Sequence, residues 1–186
     1  MSKRTFVLYS RTGSTVPFKG NLRLAGRLDI VYQCILTSLF ASHTIRREVE
    51  FHAFLYGRPN PPLHLKVNGA ELYDVRIDED TWRVIINEVL MNKQHAGVSL
   101  TKEGIENFVK TVNEKYVLSE NGNIIDNMKF NENPVFFLGD HIGLPKKFEG
   151  FLEREGAKKV SLGRNKYLAA SCIDITNYIL DSKSPT

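Results

Sequence analysis

Hydrophobic and polar positions change period several times along this chain, and each change marks an element. Residues 3–10 read as a first strand, running through Phe6-Val-Leu-Tyr9. Leu28, Val31, Ile35 and Leu39 hold helical spacing and predict a helix over about 27–42. From 48 to 55 apolar and polar residues alternate, with Val49, Phe51, Ala53 and Leu55 in phase, the pattern of a half-buried strand. Arg58-Pro-Asn-Pro-Pro62 calls for a turn or extended connection, because proline lacks the amide donor of a helix interior or central strand. Residues 63–67 and 70–74 flank Asn68-Gly69, which supplies the positive φ angles of a tight turn, and together they read as a β-hairpin. Two helices are expected next, near 80–92 and 101–115; Ile105, Phe108, Val109 and Val112 form one apolar stripe in the second.

The last third repeats one arrangement three times: a short apolar run, then a turn built from Gly, Asn and Ser. The stretches are Tyr116-Val-Leu-Ser-Glu-Asn-Gly122, Val135-Phe-Phe-Leu-Gly-Asp-His-Ile-Gly-Leu-Pro145 and Val160-Ser-Leu-Gly-Arg-Asn-Lys-Tyr-Leu-Ala-Ala-Ser-Cys172. Short apolar runs bounded by glycine read as buried strands, and helices are expected near 146–155 and 167–181. Alternating β and α units with one inserted hairpin predict an α/β fold, a mostly parallel sheet flanked by helices. No composition break or linker divides the chain, so 1–186 is expected to form one domain. In such a sheet ligands sit where loops leave the carboxyl ends of strands. Three glycine-bearing loops point to one site lined mainly by main-chain groups, suited to a flat heterocycle such as adenine.

The chain has 186 residues and a net charge of +4. No apolar run reaches the length of a membrane-spanning helix, and Met1-Ser-Lys-Arg-Thr passes into the first strand without a signal-peptide core. Cys34 and Cys172 belong to no C-x-x-C pair and are expected as free thiols, which with the missing leader suggests a cytoplasmic protein. Charge is unevenly placed. Residues 1–28 hold Lys3, Arg4, Arg11, Lys19, Arg23 and Arg27 and no acid. The segment 10–27 is long for a loop and rich in Gly, Ser and Thr, so its cations are candidates for nucleic-acid phosphates rather than a plain solvated face. Neither G-x-x-x-x-G-K-[ST] nor G-x-G-x-x-G occurs, and the histidines show no metal-ligand spacing, so no metal is expected.

Leu138-Gly-Asp-His-Ile-Gly-Leu-Pro145, Ser161-Leu-Gly163 with Tyr167-Leu-Ala169 and Cys172, and Gly20-Asn-Leu-Arg-Leu-Ala-Gly-Arg-Leu-Asp29 are similar to motifs of the SPOUT superfamily of RNA methyltransferases. The chain most resembles the archaeal tRNA (pseudouridine-54) N1-methyltransferases. That resemblance implies S-adenosylmethionine as cofactor, a trefoil knot in the carboxyl-terminal region of about 116–182, a homodimer, and tRNA bound through its T-arm. The ribose-methylating branch carries Asn-Gly-Arg in its first loop. Here Asn121-Gly-Asn123 is followed by two isoleucines, which favours base methylation. An rRNA pseudouridine methyltransferase and a non-catalytic RNA-binding or ribosome-assembly protein of the same fold are the alternatives.

By position in the matching motifs, Leu118, Gly139, Leu162, Gly163, Arg164, Asn165, Lys166, Tyr167 and Cys172 are the expected cofactor contacts. At Gly139 a side chain is expected to occupy space the ligand needs. The target N1–H must lose its proton as the methyl bond forms, and Asp29 is the candidate acceptor, with helix N-capping as its competing role. Arg11, Lys19, Arg23 and Arg27 are the candidate RNA contacts. Asp140-His141 reads as loop architecture and a cap for the helix at 146, rather than as a catalytic dyad.

Overall fold

Alternation along each strand splits the core into two layers, one on either face of a seven-stranded sheet. The computed structural model describes residues 3–183; Met1 and Ser2, part of the amino-terminal leader reading, lie outside them. The elements run β1 (Arg4–Ser10), α1 (Leu28–Leu39), a small ribbon of β2 (Phe40–Ala41) and β3 (Thr44–Ile45), β4 (Val49–Leu55), β5 (Leu63–Asn68), α2 (Glu79–Leu90), β6 (Val98–Thr101), α3 (Ile105–Thr111), β7 (Lys115–Ile124), β8 (Val135–Gly139), α4 (Lys146–Arg154), β9 (Lys158–Ser161) and α5 (Ala169–Lys183). The sheet order is β6-β5-β4-β1-β8-β7-β9, with β4, β1, β8, β7 and β9 parallel and β5 antiparallel to both β4 and β6. The expected mostly parallel sheet flanked by helices is therefore present. Phe6, Leu8, Phe136 and Leu138 face the layer of α1, while Val7, Val135 and Phe137 face that of α3 and α4. Among the described residues no helix is long and apolar enough to cross a membrane.

Several local expectations change. β4 is buried on both faces, Glu50 alone being half exposed, because a strand inside a parallel sheet is covered by helices on either side. The helix expected over 27–42 stops at Leu39, where Phe40 and Ala41 pair with Ile45 and Thr44. Residues 70–74 are not the second arm of a hairpin. The Asn68 side chain accepts from the Ala70 amide at 3.0 Å and its carbonyl from the Leu72 amide at 3.0 Å, which turns the chain inward. Leu72 is fully buried, and Arg47 braces this turn through the Gly69 and Leu72 carbonyls at 3.0 and 2.6 Å. The antiparallel partners of β5 are β4 and β6, and β6 takes up the start of the helix expected at 101–115, leaving α3 at Ile105–Thr111.

The carboxyl-terminal helix is tied to the first strand by buried polar groups. Arg4 donates to Asn177 Oδ1 at 3.1 Å and to Asp181 at 2.7 Å, and Asn177 Nδ2 reaches the Thr37 carbonyl at 2.8 Å. These bonds hold α5 against α1.

On the other face, His52 Nδ1 lies 2.8 Å from His64 Nε2, and the outer nitrogens of the pair meet Glu50 and Glu103 at 3.3 and 3.1 Å. Burial pushes both imidazoles below their ordinary value, and each positive charge would further oppose its neighbour. The neutral pair is thus the folded form, while an unfolded chain binds protons near pH 6.5. Stability is full above that value and falls as the pH drops below it, by up to about 1.4 kcal/mol per pH unit for each proton taken up only on unfolding. Denaturant titrations of the parent and of His64→Phe between pH 7.5 and 5 test this: the parent's slope should shrink in the variant.

Candidate functional site

Five parallel strands present their carboxyl ends along one edge, and β1, β8, β7 and β9 are neighbours there. Their register keeps the ends level, with Tyr9 opposite Gly139, Val117 opposite Phe137 and Leu118 opposite Val160. The loops after β8 and β9 meet beyond the Leu118 level of β7 and border a cleft of about 660 Å³, a size usual for small-molecule ligands.

The contribution of β7 is a bulge. Leu118 and Asn123 both pair with Val160, so 119–122 loops out between them and places Ser119 and Glu120 beside Leu118 in the lining. The turn expected after Leu118 is thus an interruption within a strand that resumes to Ile124. Gly122 permits it, since a Cβ there would collide with the main chain of Val160.

After β8, Asp140 braces the next loop. Its carboxylate, with the side chain only 2% exposed, accepts from the Arg11 amide at 2.7 Å and the Ile142 amide at 2.9 Å. It therefore joins the β8 loop to the exit of β1. His141 Nδ1 is 3.8 Å from Asp140 Oδ1, beyond hydrogen-bond range, so the two do not form a dyad. The expected cap on α4 is absent: Pro145 holds the N-cap position and no side chain bonds there. A Cβ on Gly139 would run into the backbone of Gly143 and Leu144. The loop folding back over the strand end, rather than the ligand, claims that space.

After β9, Leu162, Gly163, Asn165, Lys166 and Tyr167 line the cleft, whereas Arg164 is exposed and is not among the lining residues. Gly163 has φ +121°, which side chains rarely adopt, and open space where a Cβ would stand. Cys172, on the first turn of α5, also lines the cleft, and its thiol lies 3.8 Å from the Tyr167 carbonyl. Burial pushes that thiol up to about 11, so it is protonated at neutral pH and serves as a wall rather than a nucleophile. Both cysteines are free. Leu118, Leu138, Ile142, Leu144 and Leu162 give the cleft an apolar part, beside polar lining from Gln33, Glu149 and Asn165.

The rim is formed by α1. Arg27, Ile30 and Gln33 line the cleft at helical spacing. Arg27 occupies the N-cap position with φ 67°, and its Nε and Nη2 donate to the two Asp29 oxygens, each at 3.0 Å. Asp29 is the second residue of α1, so the helix-capping role is overturned. It is bonded to the lining residue Arg27 and is not itself in the lining. Of the other basic candidates, Lys19 and Arg23 are exposed and Arg11 is half-buried. They belong to a segment ordered by its own bonds: Thr12 to the Gly26 carbonyl at 2.8 Å, the Ser14 amide to the Ala25 carbonyl at 3.1 Å, and Thr15 to the Gly57 carbonyl at 2.9 Å. Among the described residues, no group of three or more His, Cys, Asp or Glu could hold a metal ion.

Sequence reasoning missed Gln33, Glu120 and Glu149, all in the lining. Helical spacing from Arg27 could have found Gln33. Glu120 lies in the 116–122 stretch already read as a site loop, whereas nothing local to Glu149 signals the cleft, because a helix from the opposite face brings it in.

Residues 3–184 match a family model described as "Putative SAM-dependent RNA methyltransferase". The tRNA (pseudouridine(54)-N(1))-methyltransferase of Methanocaldococcus jannaschii is 36% identical over 189 residues, covering 92% of each chain. That of Thermococcus kodakarensis is 35% identical over 197 residues, covering 96% of this chain and 98% of its own. In fold, the chain is similar to Archaeoglobus fulgidus Nep1, whose crystal structure holds S-adenosylhomocysteine. The TM-score is 0.65 at 13% identity, over 97% of this chain and all of the other.

Proposed function

The chain belongs to the family of S-adenosylmethionine-dependent RNA methyltransferases that contains the archaeal tRNA (pseudouridine(54)-N(1))-methyltransferases, and we propose that it methylates N1 of pseudouridine 54 in tRNA. The cleft beyond β7, β8 and β9 carries this reading: its leucine-lined part and polar rim suit a nucleoside with a charged tail. Bound there, S-adenosylmethionine supplies a methyl group on a sulfonium that is already a good leaving group. The protein's work is therefore proximity and in-line geometry. Leu118, Leu138 and Leu162 would hold the adenine, and the backbone from Leu162 to Tyr167 would meet its polar edge. Arg27 and Asp29 at the rim would face the RNA, Asp29 taking the N1 proton or holding the uracil edge, while Arg11, Lys19 and Arg23 would meet phosphates. Arg164, whose side chain is exposed and outside the lining, would contribute only its main chain.

T-arm recognition, a homodimer, a single domain with a threaded carboxyl-terminal knot, and a cytoplasmic location belong to the same proposal. Family membership supports them. Exposed Leu168 and Tyr178 offer apolar surface to a second copy.

The test is incubation with labelled cofactor and a tRNA carrying pseudouridine at 54, followed by nucleoside analysis. Labelled 1-methylpseudouridine is expected at that position, and none from a transcript with uridine there. Label on a ribose, or transfer to rRNA alone, refutes the assignment.

A further inference from the structure

Three carboxylates border the cleft: Glu120, Asp140 and Glu149. Two are engaged. Glu120 is paired with Lys166 at 3.2 Å, and Asp140 accepts the two amides described above. Glu149, half-buried in the first turn of α4, has no hydrogen bond or ion pair to its carboxylate among the described residues. Lys159 feels its charge but is held at 2.6 Å by Glu153. The lining cations Arg27 and Lys166 are likewise taken, by Asp29 and Glu120. Glu149 is therefore the lining carboxylate left without a partner among the described residues, and a cation with hydrogen-bond donors would both bond and neutralise it.

We infer that Glu149 binds the α-ammonium of the cofactor's methionine end, an inference that rests on the methyltransferase reading above. The cofactor has two positive centres. The sulfonium carries no N–H, so of the two the ammonium is the centre that can meet a carboxylate with both charge and hydrogen bonds. The placement of the helices agrees. Phe148 and Leu152 of α4 pack on one face of the sheet and α1 packs on the other. Glu149 thus reaches the cleft from the side opposite Arg27.

Calorimetry with two ligands tests this. S-adenosylhomocysteine has the amino-acid end; 5′-methylthioadenosine has the same nucleoside and sulfur without it. Glu149→Gln should weaken S-adenosylhomocysteine by about tenfold or more, the usual worth of a hydrogen bond to a charged group. Affinity for methylthioadenosine and the melting temperature should stay at the parent's values. A variant that keeps its affinity for S-adenosylhomocysteine, or loses both ligands equally, overturns the inference while the methyltransferase reading stands. A folded parent that binds neither ligand overturns that reading and this inference with it.

Discussion

Asp29→Asn is expected to lower turnover by roughly 10²–10⁴-fold, the range of a positioned general base, while the affinity for S-adenosylhomocysteine stays unchanged. Asp29 has no helix-capping bond, so asparagine removes no cap. Its partner Arg27 is 36% exposed, and an ion pair at such a site contributes only about 0–1 kcal/mol, so the melting temperature should hardly move. The arrangement leaves one competing explanation, that Asp29 acts only by aiming Arg27. Arg27→Gln separates the two. If aiming is the whole role, that variant reproduces the loss; if Asp29 accepts the proton, it mainly weakens tRNA binding. Single-turnover methylation with saturating tRNA, measured on both variants, gives the answer. Near-parent turnover by Asp29→Asn would show that the proton leaves by another route.

Gly139→Val is expected to weaken cofactor binding strongly and also to cost stability. The valine Cβ would overlap the backbone of Gly143 and Leu144, so the β8 loop must lift from the strand end. Overpacking of this kind costs about 1–3 kcal/mol, and where the lifted loop must be forced back to hold the ligand, affinity should fall by about fivefold to a hundredfold. Moving the loop also pulls Asp140 away from the Arg11 amide and loosens the start of the basic segment. Weakened tRNA binding should therefore accompany the cofactor defect. Calorimetry, thermal melting and tRNA titration on one sample check all three. A variant with parental melting and no cofactor affinity would mean that the side chain blocks the ligand directly.

Much of this architecture is written in local pattern. Phe6-Val-Leu-Tyr9 and Val135-Phe-Phe-Leu138 are apolar on successive residues because both faces of their strands are covered, and that shows without a partner in view. The helical spacing of Leu28, Val31, Ile35 and Leu39 likewise identifies α1. Glycines at 139 and 163 mark the loops that border the cleft, so most of the lining after β8 and β9 can be read from spacing and motif alone.

Pairing could not be read that way. Asn68-Gly69 has the chemistry of a hairpin turn, yet β5 pairs with β4 and β6, and 70–74 turns inward to bury Leu72. Local turn preference constrains two residues, whereas the choice of partner is settled by many long-range hydrogen bonds and apolar contacts at once. The same reason hides the bulge of β7, which exists only against β9, and the bidentate bond that takes Asp29 from a cap to a partner of Arg27. Glu149 is the clearest case. Its sequence neighbours make it an ordinary acid in the first turn of an amphipathic helix; the packing of α4 across the sheet leaves it as the unpaired carboxylate of the cleft. Local sequence determined which segments are buried and where the loops fall, because periodicity is a short-range property. Tertiary structure alone decided which charges meet, because that depends on distances between segments remote in the chain.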